Sequence, residues 1–81
     1  MSEHRSHRCY TAHVTGGIDG VLRVAMIIRN RGYRLRDFSV DVHEGVLETP
    51  VRLTAMVTPD EGRLLLARLR RLPAVVSADP A

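Results

Sequence analysis

From residue 8 to 14 the chain alternates, with Tyr10, Ala12 and Val14 on one side and Cys9, Thr11 and His13 on the other. That period of two predicts a half-buried strand. A glycine-containing turn, Thr15-Gly16-Gly17-Ile18-Asp19-Gly20, leads into Val21, Val24, Ala25 and Ile28 at helical spacing, with Arg23, Arg29 and Asn30 outward. A helix is predicted over 20–31, with Asp19 as its cap and Gly32 supplying the positive φ that ends it. Alternation returns over 35–42, where Phe38, Val40 and Val42 form the inner face and Asp37, Ser39 and Asp41 the outer one. Residues 43–50 read as a connecting hairpin loop. Val51, Leu53, Ala55 and Val57 then mark a third strand over 51–57.

Thr58-Pro59-Asp60-Glu61 is a helix start: threonine to cap, proline for the first helical position, and a glutamate three residues after the cap. Leu64, Leu65, Ala67, Leu69 and Leu72 carry the second helix up to Pro73, and 74–78 is a short apolar strand. The expected organisation is a disordered tail over 1–7, one domain over 8–78 and a frayed end over 79–81. Two split crossovers in the order β-α-β-β-α-β predict an α+β ferredoxin-like sandwich, a four-stranded antiparallel sheet with both helices on one face. The other face, with Thr11, His13, Ser39, Asp41, Thr54 and Met56, is largely polar and free to meet water or a partner.

Composition narrows the choices. The 81 residues include 12 basic and 9 acidic side chains, for a net charge of +3. Every basic residue except the histidines is arginine, which is the trace of a GC-rich coding sequence. Arginines spread over all segments are solvated faces rather than a nucleic-acid footprint. Only Arg29, Arg31, Arg34 and Arg36 cluster, as compensation at a helix end or as a docking patch for an acidic partner. A base-stacking RNA surface needs aromatics on the central strands; the third has none, and alternation puts Tyr10 inside. Nucleic acid is therefore not expected as a partner.

One cysteine excludes a disulfide framework. Cys9 and His13 share a strand face but stand about 13 Å apart at ~3.3 Å per residue, too far for one metal, so no metal site is expected. The polar N-terminus has no apolar core of a signal peptide. The longest apolar run, 24–28, is far short of the roughly 20 residues of a membrane span. A cytoplasmic protein without membrane contact is the expectation. At this length the domain buries only about 60% of its unfolded surface, so association is a natural source of stability.

Catalysis finds little support. The run from Gly17 to Arg23 has a passing resemblance to the phosphate loop of acylphosphatase. That chemistry also needs an asparagine on a neighbouring strand, but Asn30 falls at a helix end and Asp19 repels a phosphate. No nucleophile and base pair elsewhere, so no catalytic residue is assigned.

The words Val21-Leu22-Arg23-Val24 and Arg29-Asn30-Arg31-Gly32-Tyr33, with Leu69-Arg70-Arg71-Leu72 before a proline and valines, resemble the ACT domain family. Within it the likeness is to the short regulatory small subunits of acetolactate synthase, over about residues 8–78. The resemblance implies a non-catalytic subunit that activates a catalytic partner by contact, in branched-chain amino-acid biosynthesis. Thiamine diphosphate, FAD and Mg would then reside on that partner, and this chain would carry no cofactor. It implies a homodimer through edge strands, here through Leu35, Asp37, Phe38, Ser39 and Val40. It further implies a branched-chain amino acid held by Ile18, Asp19, Gly20 and Val21, its carboxylate on the helix N-terminus. Gly16-Gly17 stands where valine-sensitive members carry an asparagine, and no second domain follows, which points to the short, insensitive type. A free-standing amino-acid-sensing ACT module acting on another partner is the alternative.

Overall fold

A computed structural model describes residues 4–43 and 45–81. The elements follow as β1 (Ser6–Val14), α1 (Ile18–Asn30), β2 (Arg34–Val40), β3 (Thr49–Val57), α2 (Pro59–Arg71) and β4 (Val75–Pro80). The strands form one antiparallel sheet in the order β2-β3-β1-β4. This is the expected ferredoxin-like βαββαβ arrangement. Its two crossovers leave β2 and β4 at the edges.

The core lies between the sheet and the helices. Val51, Leu53, Ala55 and Val57 of β3 are almost wholly excluded from solvent, beside Tyr10, Ala12 and Val14 of β1. Val21, Val24 and Ile28 of α1 and Leu65 and Leu69 of α2 close over them. Alternating residues on central strands and i, i+3, i+4 residues on helices are what can reach such a core. Tyr10 is 4% exposed, and burial pushes its phenol pKa up.

α2 forms where its sequence says it should. The Thr58 hydroxyl accepts from the Glu61 amide at 3.1 Å, and the Glu61 carboxylate accepts from the Thr58 amide at 2.8 Å, a reciprocal capping box ahead of Pro59. Gly62 follows directly. A Cβ there would collide with the Tyr10 hydroxyl, so the glycine lets the first turn of α2 settle onto β1.

Several boundaries differ from the expectations. The cap of α1 is Gly17, at φ 57°, and no side chain bonds to the helix end. Asp19 is not the cap; it sits inside the first turn, where its charge still favours the positive end of the helix dipole. Within the first turn, Gly20 lies so close to the Thr15 carbonyl and the Val14 side chain that a Cβ cannot fit. At the other end Arg31 is the C-cap and Gly32 takes φ 71°, as expected.

β2 ends at Val40, and Val42 is exposed rather than on the inner face. A register shift between Leu35 and Asp37 makes Arg36 an extra residue, so Leu35 opposes Ala55 while Phe38 opposes Leu53. Both therefore face the helices despite their odd separation. The tail expected over 1–7 is shorter. Ser6 and His7 pair with Val57 and Met56, and Arg5 reaches Glu61; residues 1–3 lie outside the described residues, as does Glu44 in the hairpin loop. The end expected to fray is paired: Asp79 opposes Thr11, Pro80 opposes Tyr10, and the Ala81 amide donates to the Cys9 carbonyl at 2.9 Å. Proline is tolerated there because β4 is an edge strand.

Candidate functional site

The turn into α1 is built from Thr15, Gly16 and Gly17. Thr15 fastens it to the α2–β4 turn, its amide and its hydroxyl both donating to the Ala74 carbonyl, at 2.8 and 3.3 Å. Of the four residues expected to hold an effector, Ile18 and Asp19 are exposed, whereas Gly20 and Val21 are buried against β1. Only the first pair can touch a ligand by side chain. The helix N-terminus offers amides to a carboxylate here, and the carboxylate of Asp19 beside it suits an ammonium rather than a second anion.

The residues expected at a dimer interface, Leu35, Asp37, Phe38, Ser39 and Val40, all lie on edge strand β2. Phe38 and Val40 are half-buried beneath the helix layer, Leu35 is partly exposed, and Asp37 and Ser39 are open. α1 adds a feature that the sequence reading passed over. Ile18, Leu22 and Met26, spaced i, i+4 and i+8, form an apolar row that is more than half exposed. Ile27 and Arg31 face α2 across a shared groove, so the row lies on the flank turned away from α2. The spacing alone was the available signal.

The four arginines expected to act together are separated. Arg29 projects from the last turn of α1, and Arg36 occupies the β2 bulge beside Asp37, 3.8 Å away. Arg31 and Arg34 instead border one cleft of about 560 Å3, together with Arg5, Arg68, Tyr33 and Glu61. Arg5 binds Glu61 through both carboxylate oxygens, at 3.1 and 3.0 Å. That pairing, with the Thr58 amide, holds the Glu61 carboxyl below the usual range, and the same bond raises Arg5 further above its ordinary value. Arg68 donates to the Tyr33 hydroxyl at 2.6 Å. Neither Arg31 nor Arg34 has an acidic partner among the described residues. Arg5 and Arg68 were missed because they lie far from the cluster in sequence and arrive only through β1 and α2.

On the open sheet face His13 is 3.3 Å from the Ser77 hydroxyl. Among the described residues no three histidine, cysteine or carboxylate side chains gather as a metal site. Asn30 is the final residue of α1 and lies on no strand. Among the described residues no helix is long and apolar enough to cross a membrane.

Comparison with solved structures places this geometry. The crystal structure of the ACT domain from GTP pyrophosphokinase of Chlorobium tepidum superposes with a TM-score of 0.83 at 12% identity, covering 95% of this chain and 99% of that one. The solution structure of the same domain gives 0.81 at 12% identity, covering 95% and 86%. No family model matches the chain, and no curated protein matches its sequence. The fold is that of an ACT domain.

Proposed function

We propose that this chain is a non-catalytic regulatory small subunit of acetolactate synthase, which raises the activity of the catalytic subunit by protein contact. The observation that carries the reading is the coincidence of fold and words. Val21-Leu22-Arg23-Val24 falls within α1 and Arg29-Asn30-Arg31-Gly32-Tyr33 falls at its exit, as the sequence resemblance to that type expects, and the likeness to an ACT fold covers 95% of the chain. Thiamine diphosphate, FAD and Mg belong to the catalytic partner in this reading. The location is the cytoplasm.

The active form is a homodimer. Edge strand β2 pairs with its copy across a two-fold axis, which extends the sheet to eight strands and removes an unprotected edge. The exposed row Ile18, Leu22 and Met26 sits on the same flank and gives α1 an apolar surface for the second α1. The position for a branched-chain amino acid is beside Ile18 and Asp19 at that interface, with the backbone of Gly20 and Val21 beneath it. The glycine pair before α1 favours activation without valine feedback. The test is co-purification with the catalytic subunit and a rise in acetolactate formation on adding the chain; the absence of both association and activation sinks the reading.

A second reading is supported by the solved neighbour, an ACT domain from a GTP pyrophosphokinase rather than from a synthase. In it the chain is a free-standing amino-acid sensor for another partner. Calorimetry against the twenty amino acids separates the two. Tight binding of one amino acid without synthase association favours the sensor.

A further inference from the structure

The arginine cleft lies at the far end of α1 from the entry turn, about 20 Å away for a 13-residue helix. It is built from four separate parts of the chain. Arg5 precedes β1, Arg31 caps α1, Arg34 opens β2, and Arg68 comes from the last turn of α2. With Glu61 the border carries four guanidiniums and one carboxylate, so three positive charges are left over.

The cleft itself shows what one carboxylate requires. Arg5 alone satisfies both oxygens of Glu61. A guanidinium fork matches a carboxylate one to one. Arg31, Arg34 and Arg68 remain over the same opening, and Arg68 is held in place from one side by the Tyr33 hydroxyl. Three forks exceed what a carboxylate can accept. They suit a tetrahedral group with three peripheral oxygens and two negative charges, or two such groups in line. The remaining wall is apolar, formed by Met56, Leu64 and the ring of Tyr33. The volume of about 560 Å3 falls within the range of small-molecule sites.

We propose that the cleft between the C-terminal end of α1, the start of β2 and the length of α2 binds the phosphate or diphosphate group of a small organic phosphate through Arg31, Arg34 and Arg68. Tyr33, Met56 and Leu64 take the apolar part of that molecule. Arg5 serves as the counter-ion of Glu61 and keeps that carboxylate from repelling the ligand. The site is independent of the amino-acid position at the other end of α1 and of the identity of the protein partner.

The test is titration of the full chain with inorganic pyrophosphate at low ionic strength, by calorimetry and by amide chemical shifts. The expected result is saturable binding with shifts centred on Gly32, Tyr33 and Arg34. Arg31→Ala with Arg34→Ala weakens it at least tenfold, whereas Arg29→Ala with Arg36→Ala, which removes the same charge outside the cleft, changes it less than threefold. Circular dichroism of both variants confirms that these exposed substitutions leave the fold intact. No saturable binding, equal losses in the two double variants, or displacement of pyrophosphate by an oligoglutamate peptide at equal concentration of charge overturns the proposal. The last result makes the cleft a docking site for an acidic protein segment instead.

Discussion

The residues that matter most to this small domain are those where a single atom is the limit. Gly62 lies against the Tyr10 hydroxyl, and a methyl group there forces the first turn of α2 away from β1. Gly62→Ala should lower stability by about 1–3 kcal/mol, as overpacking does. Tyr10→Phe in the same chain removes the clashing oxygen, so the double variant should be more stable than Gly62→Ala alone; urea unfolding of the three proteins checks this. Thr58 is the second such residue. Its hydroxyl is the acceptor for the Glu61 amide, and Thr58→Ala should cost about 1 kcal/mol in the same measurement. Glu61 gives a pH dependence whose sign is fixed by its environment. Its carboxyl sits below the ordinary range because the Arg5 guanidinium and then the Thr58 amide favour the charged form. A depressed folded-state pKa contributes stability that is complete above the ordinary glutamate pKa of about 4.3 and fades as pH falls through the folded value. Thermal midpoints should therefore fall between about pH 5 and pH 3, and Glu61→Gln should flatten that part of the profile. An unchanged profile removes Glu61 from the account.

At the scale of elements, β2 and α1 carry the clearest expectation. If the copy pairs along β2, Leu22→Asp and Met26→Asp place charge on the row facing the second α1 while leaving the buried face of the helix untouched. Sedimentation velocity should show a dimer for the native chain and a monomer for the double variant with unchanged helical content. A native monomer rules out the β2 dimer. The elements also differ in how far the sequence disclosed them. α2 was legible to its first residue because Thr58, Pro59 and Glu61 act on their own neighbours. β3 was legible because a central strand repeats the same buried face without interruption. The bulge at Arg36 was not, since it exists only in the pairing of β2 with β3, and alternation along β2 alone misplaced Val42. The paired end of β4 was hidden by Pro80, which reads as a breaker until the strand is known to be an edge. Asp19 looked like a cap because its residue type favours one, while the positive φ of Gly17 serves as the cap and leaves Asp19 inside the first turn.

For the whole molecule, the fold was readable and the sites only in part. Element order and the two periodicities suffice for a βαββαβ sandwich, and the ACT domain whose fold it shares is 12% identical in sequence. The arginine cleft was half visible. Arg31 and Arg34 stand in the sequence cluster, but Arg5 and Arg68 join them from residues that no local pattern connects. The apolar row of α1 and the open edge of β2 lie together on one flank, and the positive cleft lies at one end. A domain of this size with both surfaces uncovered fits a part that works in an assembly. The proposed partner is the catalytic subunit of acetolactate synthase. The most direct measurement titrates the purified chain into the purified catalytic subunit from the same organism while acetolactate formation is followed. The account predicts a saturable rise in rate at a fixed stoichiometry, with the two proteins eluting together in gel filtration. An unchanged rate with separate elution at every ratio contradicts it.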